Sequence, residues 1–178
     1  RRRAAARAGL SPAVPIYDDD DQLRLVKRIL AELGQDEGEL VTAREALSRI
    51  DRWKGQALRP AEIPLPAHDV EGALAREVYS RYEAALARAG AADFGDLLMR
   101  PVRLLEEDAR LHARWAERFE HLLVDEFQDT NPVQYRLLRL LGGARGNVCV
   151  VGDDDQAIYR WRGADVENIL GFDRDFAG

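Results

Sequence analysis

Asp125 and Glu126 stand side by side at the end of the apolar run Leu122-Leu123-Val124. An aspartate and a glutamate at the carboxyl end of a buried strand can divide the work of nucleotide hydrolysis. The first carboxylate holds the hydration shell of a magnesium ion, and the second orients and deprotonates the attacking water. Taken alone the pair is a weak signal, because apolar residues followed by two acids arise often at strand ends. A second acidic strand end follows at Val151-Gly152-Asp153. In open α/β sheets ligands sit beyond the carboxyl ends of the strands, where these carboxylates would lie.

Such ends need a sheet behind them. Leu122 to Val124 and Val148 to Val151 are short continuous apolar runs, as expected of strands buried on both faces. Between them the pattern predicts a helix capped by Thr130 or Asn131, with Pro132 at its first position. It carries Val133, Leu137, Leu138 and Leu141 and stops at Gly142-Gly143. Strand, helix, strand predicts a right-handed crossover and a parallel pair. Cys149, the single cysteine, falls in the second run and is expected to be a small buried hydrophobe.

Ahead of His121 the chain reads as all-helical. From Asp20 to Leu33 the apolar residues Leu23, Val26, Ile29, Leu30 and Leu33 recur at helical spacing. Asp18 to Asp21 read as a solvated cap and not as a cation site. Thr42 caps a second helix through Trp53, and Pro60, Pro64 and Pro66 mark a loop. A long helix runs from about Asp69 to Ala89 and ends at Gly90. Shorter helical segments cover roughly Asp93 to Glu107 and Ala109 to Phe119. Trp53 and Lys54 read as packing and solvated surface, and the scattered His68, His112 and His121 as structural.

The net charge of −6 argues against indiscriminate nucleic-acid binding, so any such contact must be local. No stretch reaches the roughly 18 apolar residues of a membrane span, and a cytoplasmic setting is expected. The first residue is Arg1 and the only methionine is Met99, so an excerpt of a longer reading frame is expected.

The text around the carboxylates is more specific. Leu123-Val124-Asp125-Glu126-Phe127-Gln128-Asp129-Thr130-Asn131-Pro132-Val133-Gln134 is followed by Val151-Gly152-Asp153-Asp154-Asp155-Gln156-Ala157-Ile158-Tyr159-Arg160-Trp161-Arg162-Gly163-Ala164. In order and spacing the two segments closely resemble motifs II and III of the UvrD/Rep/PcrA family of superfamily 1 DNA helicases. The resemblance implies ATP and Mg2+ as cofactors, with Asp125 on the metal, Glu126 as catalytic base and Gln156 near the γ-phosphate. A glutamine suits that last place, since its neutral amide can donate to a phosphate oxygen and to a water. Gln128 and Asp129 either fix the turn and cap the next helix or contact ligand. The family often has serine where Ala157 stands.

Tyr159-Arg160-Trp161-Arg162 alternates aromatic and cationic side chains, which suits a base stacking on an indole while guanidinium groups meet phosphate or a neighbouring acid. By the resemblance Trp161, with Tyr159 and Arg162, meets single-stranded DNA, and the implied partners are single-stranded DNA and junctions with duplex. Ile16-Tyr17-Asp18-Asp19-Asp20-Asp21-Gln22, Ile50-Asp51-Arg52-Trp53-Lys54 and Asp93-Phe94-Gly95-Asp96-Leu97-Leu98 resemble the helical insertion called 1B and the return to the motor core. The implied fold is an α/β P-loop NTPase of RecA-like type, a partial parallel sheet with a mainly α-helical inserted subdomain. Residues 1–92 would form the 1B-like subdomain, 93–120 the helical return, and 121–178 part of the 1A-like ATPase domain.

The phosphate-cradling run G-x-x-x-x-G-K-[ST] is absent, and the only lysines, Lys27 and Lys54, do not follow a glycine. The chain by itself is therefore expected not to hydrolyse ATP. Rival readings are a standalone nucleic-acid-binding or interaction module without motor activity, and part of a helicase-nuclease subunit.

Overall fold

The computed structural model describes residues 14–35, 40–142, 146–153, 155 and 167–176, of which 167–170 in backbone only. The chain divides into two compact units, Arg1–Lys54 with Leu58–Leu97, and Gly55–Ala57 with Leu98–Gly178.

The first unit contains β1 (Ile16–Tyr17), α1 (Asp19–Glu32), α2 (Ala43–Gly55), a 3-10 turn at Pro60–Glu62, α3 (Val70–Ala89) and β2 (Ala92–Asp93). Each long helix begins on a side-chain cap that satisfies an orphan backbone donor. Asp18 accepts from the Asp21 amide at 2.9 Å, and Asp69 from the Gly72 amide at 2.8 Å. At α2, Thr42 Oγ1 accepts from the Glu45 amide at 3.2 Å while Glu45 Oε2 accepts from the Thr42 amide at 2.8 Å, a reciprocal capping box. The Thr42 amide, and after it the Thr42 hydroxyl, which also donates to Glu45 Oε2 at 2.8 Å, hold the exposed Glu45 carboxyl below the usual glutamate range. The apolar stripes of these helices meet in one core, with Val26, Ile29, Ile50, Val78 and Leu86 buried. Trp53 stacks on Tyr79 at 6.0 Å, in keeping with its expected packing role.

Two features of this unit depart from the expectation. The segment before His121 is not wholly helical, because β1 and β2 pair in parallel with Ile16 opposite Ala92 and Tyr17 opposite Asp93. Strands of two residues are too short to show a period in the sequence. Lys54 is not solvated surface but fully buried. Its ammonium lies 2.6 Å from Asp93 Oδ2, 2.7 Å from Glu83 Oε1 and 2.9 Å from Asp96 Oδ1. Burial disfavours a charge that has no counter-charge, and here the three carboxylates outweigh that penalty, so the Lys54 pKa is raised.

The second unit contains α4 (Asp96–Glu107, from Leu98 onward), α5 (Ala109–Ala116), β3 (Leu122–Val124), a 3-10 turn at Phe127–Asp129, α6 (Pro132–Gly142), β4 (Val148–Val150) and α7 (Glu167–Asp175). Asn131 is the cap of α6: its Oδ1 accepts from the Gln134 amide at 2.9 Å, and Gln134 Oε1 accepts in return from the Asn131 amide at 2.9 Å. The His112 ring donates from Nε2 to the Leu140 carbonyl at 2.7 Å, a structural role that links α5 to α6.

β3 and β4 pair in parallel, with Leu122 opposite Val148, Leu123 opposite Cys149 and Val124 opposite Val150, as the strand-helix-strand pattern predicts. Burial on both faces does not hold. Leu122, Val124, Val148 and Val150, with Phe172 and Phe176, pack on Phe127, Tyr135 and Leu138. Leu123 is 81% exposed and Val151 61% exposed, and Cys149, expected inside, is exposed. Alternate residues of a strand point to opposite faces, and α6 and α7 cover only one of them. Among the described residues the chain is thus mostly helical with short parallel strands, an α/β arrangement, and no described helix is long and apolar enough to cross a membrane.

Candidate catalytic site at the strand ends

The turn after β3 is built by its backbone. Val151 donates its amide to the Val124 carbonyl at 2.8 Å, and Phe127 donates its own to the Val151 carbonyl at 2.9 Å, so the two strand ends stay laced past the last paired residues. Phe127, 2% exposed, anchors the turn among Tyr135 and Phe172, with ring centroids at 6.1 and 5.6 Å. Asp125 and Glu126 are left exposed between the strand end and that anchor. Asp125 Oδ1 accepts from the Glu126 amide at 3.0 Å.

Glu126 pays for its position in backbone conformation. Its φ of 51° and ψ of 42° are left-handed, which costs a non-glycine residue about 1–2 kcal/mol. Such conformations persist where the surroundings over-determine them, and they cluster at functional sites. Here the Asp129 amide donates to the Glu126 carbonyl at 3.0 Å, and the Thr130 amide to the Phe127 carbonyl at 3.1 Å.

Gln128 is 1% exposed and points inward. Its Nε2 donates to Glu126 Oε2 at 2.6 Å, and its Oε1 accepts from the Asp153 amide at 3.1 Å. Of the two roles open to this residue in the sequence, the described bonds fix the turn. Asp129 is the second open case. Its Oδ1 is buried with no hydrogen-bond partner among the described residues. It lines a cleft of about 400 Å³, together with Asp125, Glu126, Thr130, Gln134 and apolar side chains of β3 and α6.

In the sequence Gly152 reads only as the end of a strand. A Cβ there would lie 2.7 Å from Gln128 Oε1 and 3.2 Å from the Gln128 backbone nitrogen. A glycine at a strand end is a signal of close approach by another segment, and it could have pointed to this contact. Asp153 follows at the carboxyl end of β4, where its Oδ1 accepts from the Asp155 amide at 3.0 Å. Gln156, Tyr159, Trp161 and Arg162 lie outside the described residues.

Carboxylate oxygens at a strand end suit a hard divalent cation, which Mg2+ sites bind through one or two carboxylates plus phosphate and water. Asp125 is exposed, Asp129 Oδ1 has no hydrogen-bond partner among the described residues, and both residues line the cleft, which fits that donor set. Among the described residues the acidic group with metal-ligand spacing is Glu83 with Asp93 and Asp96, and it has the Lys54 ammonium at its centre.

The model of the UvrD/REP helicase N-terminal domain matches residues 2–177. DNA helicase II of Escherichia coli is 44% identical over 171 residues, covering 96% of this chain and 24% of that protein. The ATP-dependent DNA helicase Rep of Escherichia coli is 37% identical over 175 residues, covering 98% of this chain and 26% of that protein. The ATP-dependent DNA helicase PcrA of Staphylococcus aureus is 38% identical over 175 residues, covering 98% and 24%. The chain spans about a quarter of the length of these relatives. With Asp125-Glu126 at the end of β3 and a match that runs almost from end to end, this chain belongs to the UvrD/REP helicase N-terminal domain family.

Proposed function

We propose that this chain is part of an ATP-dependent DNA helicase, which couples ATP hydrolysis to translocation on single-stranded DNA and to duplex unwinding. The observation that carries the reading is the Asp125-Glu126 pair, held exposed at the carboxyl end of a parallel strand beside a cleft, in a chain of this helicase family. The strands β3 and β4 then belong to a RecA-like P-loop domain, with residues 1–92 as a 1B-like subdomain, 93–120 as the return and 121–178 as part of the ATPase domain. Junctions of single-stranded DNA with duplex are the proposed substrate, in the cytoplasm.

In this reading Asp125 would hold Mg2+, which supplies positive charge to the phosphate oxygens. Glu126 takes the proton of the attacking water. Its left-handed backbone and the Gln128 bond aim the carboxylate before substrate arrives, so little reorganisation is needed at the reacting step. Gln156 senses the γ-phosphate, and Trp161, Tyr159 and Arg162 meet the DNA. The phosphate-gripping lysine loop is not in this sequence, so the chain alone hydrolyses no measurable ATP.

The test is DNA-stimulated ATPase activity in the full-length protein that carries this chain. Glu126→Gln lowers turnover by about 10²–10⁴-fold. Turnover within about tenfold of wild type sinks the assignment of the base.

A further inference from the structure

The geometry points to Gln128 as a positioning residue that ties the Glu126 carboxylate to the backbone of Asp153, so that the β4 end sets the aim of the catalytic base. The inference rests on the reading of Glu126 given above and assigns a role to a residue that does not itself meet substrate.

Gln128 ties Glu126, which follows β3, to the backbone of Asp153, which follows β4. It is buried, and both ends of its amide are used, Nε2 on Glu126 Oε2 at 2.6 Å and Oε1 on the Asp153 amide at 3.1 Å. The orientation of the amide follows from its partners. A backbone N–H can only donate, so Asp153 requires the oxygen, and a carboxylate oxygen is met by the NH2. The glutamine amide donates and accepts through two atoms at the end of the side chain. Aspartate or glutamate would lack the donor, and lysine or arginine the acceptor.

The space around the amide is built for it. Gly152 approaches so closely that a Cβ would sit 2.7 Å from Gln128 Oε1. That leaves the Asp153 amide within reach of the oxygen while β4 stays in register with β3. Glu126 has its own reason to need a tie. It is exposed and flexible as a glutamate, and its left-handed backbone fixes only where the side chain starts. The Gln128 bond fixes where one oxygen ends. Because the other end of the amide is on the first residues after β4, a shift of that strand end moves the base.

The test uses full-length protein. Gln128→Glu keeps length and the acceptor for Asp153 but places a carboxylate where the donor to Glu126 was. Expected is a fall in kcat of about a hundredfold, the scale of a small misplacement of a reacting group, with KM for ATP near wild type. The thermal midpoint falls as well, because a buried carboxylate then faces that of Glu126. In a Glu126→Gln background the same substitution costs no further activity, because the group it aims is gone. A kcat within about threefold of wild type for Gln128→Glu, or an equal further loss in the Glu126→Gln background, overturns the inference while leaving the base assignment intact. If Glu126→Gln alone retains turnover, the base assignment fails and this inference falls with it. Should Gln128→Glu not fold, nuclear magnetic resonance on the wild-type side-chain amide decides. Gln128 Nε2 protons protected from exchange and moved by Glu126→Ala support the tie, and protons that exchange freely and ignore Glu126→Ala overturn it.

Discussion

The Lys54 ammonium lies 2.6 Å from Asp93 Oδ2, and neither side chain is more than 1% exposed. Around that pair Tyr82 donates its hydroxyl to Asp93 Oδ2 at 2.9 Å, and the Asp96 amide donates to Asp93 Oδ1 at 2.8 Å. One cation therefore answers several buried anionic oxygens drawn from α3, β2 and the start of α4. Taking it away leaves carboxylates uncompensated. Lys54→Met is expected to destabilise the chain by about 3–5 kcal/mol, the usual result of removing one partner of a buried pair. Urea unfolding at neutral pH measures it. Part of the loss should return on acidification, as the stranded carboxylates take up protons, and a loss below about 1 kcal/mol would contradict the burial of the charge.

Glu83 gives the same cluster a pH dependence. Burial raises its pKa most, Asp96 and Asp93 add to the rise, and Lys54 opposes it without cancelling it. The folded state thus keeps this proton to higher pH than the unfolded chain, whose glutamates titrate near about 4.3. Stability from this group is fully present below the unfolded value and is lost as pH rises through the folded one. Urea midpoints of wild type and Glu83→Gln, measured from about pH 4 upward, should show a decline in wild type that the variant lacks. Parallel curves would remove Glu83 as the source.

Gly152→Ala tests the strand-end contact from the other side. The new Cβ must displace the Gln128 amide or push β4 away from the turn. Overpacking of this kind costs about 1–3 kcal/mol. Turnover in the full-length protein should fall as well, since the displaced amide is the one bonded to Glu126. An unchanged unfolding midpoint would show that the site yields without strain.

Asn131→Ala removes the cap of α6, with the loss of the bond from the Gln134 amide. The expected cost is about 0.5–2 kcal/mol, read as a lower midpoint in thermal or urea unfolding. Thr130→Ala should leave that cap in place, which distinguishes the two residues that the sequence offered for the position.

The elements around the site were largely legible because their signals are local. A carboxylate pair after an apolar run, a proline behind an asparagine and a glycine pair after a helical stripe are each written in a few neighbouring residues. They located β3, α6, β4 and the place of Asp125 and Glu126. The burial of the strands was not legible in the same way. Leu122-Leu123-Val124 is apolar throughout, and composition cannot tell a strand covered on both faces from one covered on a single face. Only the placement of α6 and α7 leaves Leu123 at 81% exposure.

The sequence by itself determined the family, the order of helices and strands, and which residue types stand at the strand ends, since motif, period and cap depend on near neighbours. Tertiary structure decided where long-range partners meet. Lys54 looked like surface because its counter-charges lie about 30 to 40 positions away along the chain, and a charge is buried only when distant carboxylates converge on it. Gln128 could have faced ligand or protein, and the choice was made by Gly152 and Asp153 arriving from another strand. An amide can aim a neighbouring carboxylate only when the fold supplies a fixed second partner, and no stretch of sequence around Glu126 contains that partner.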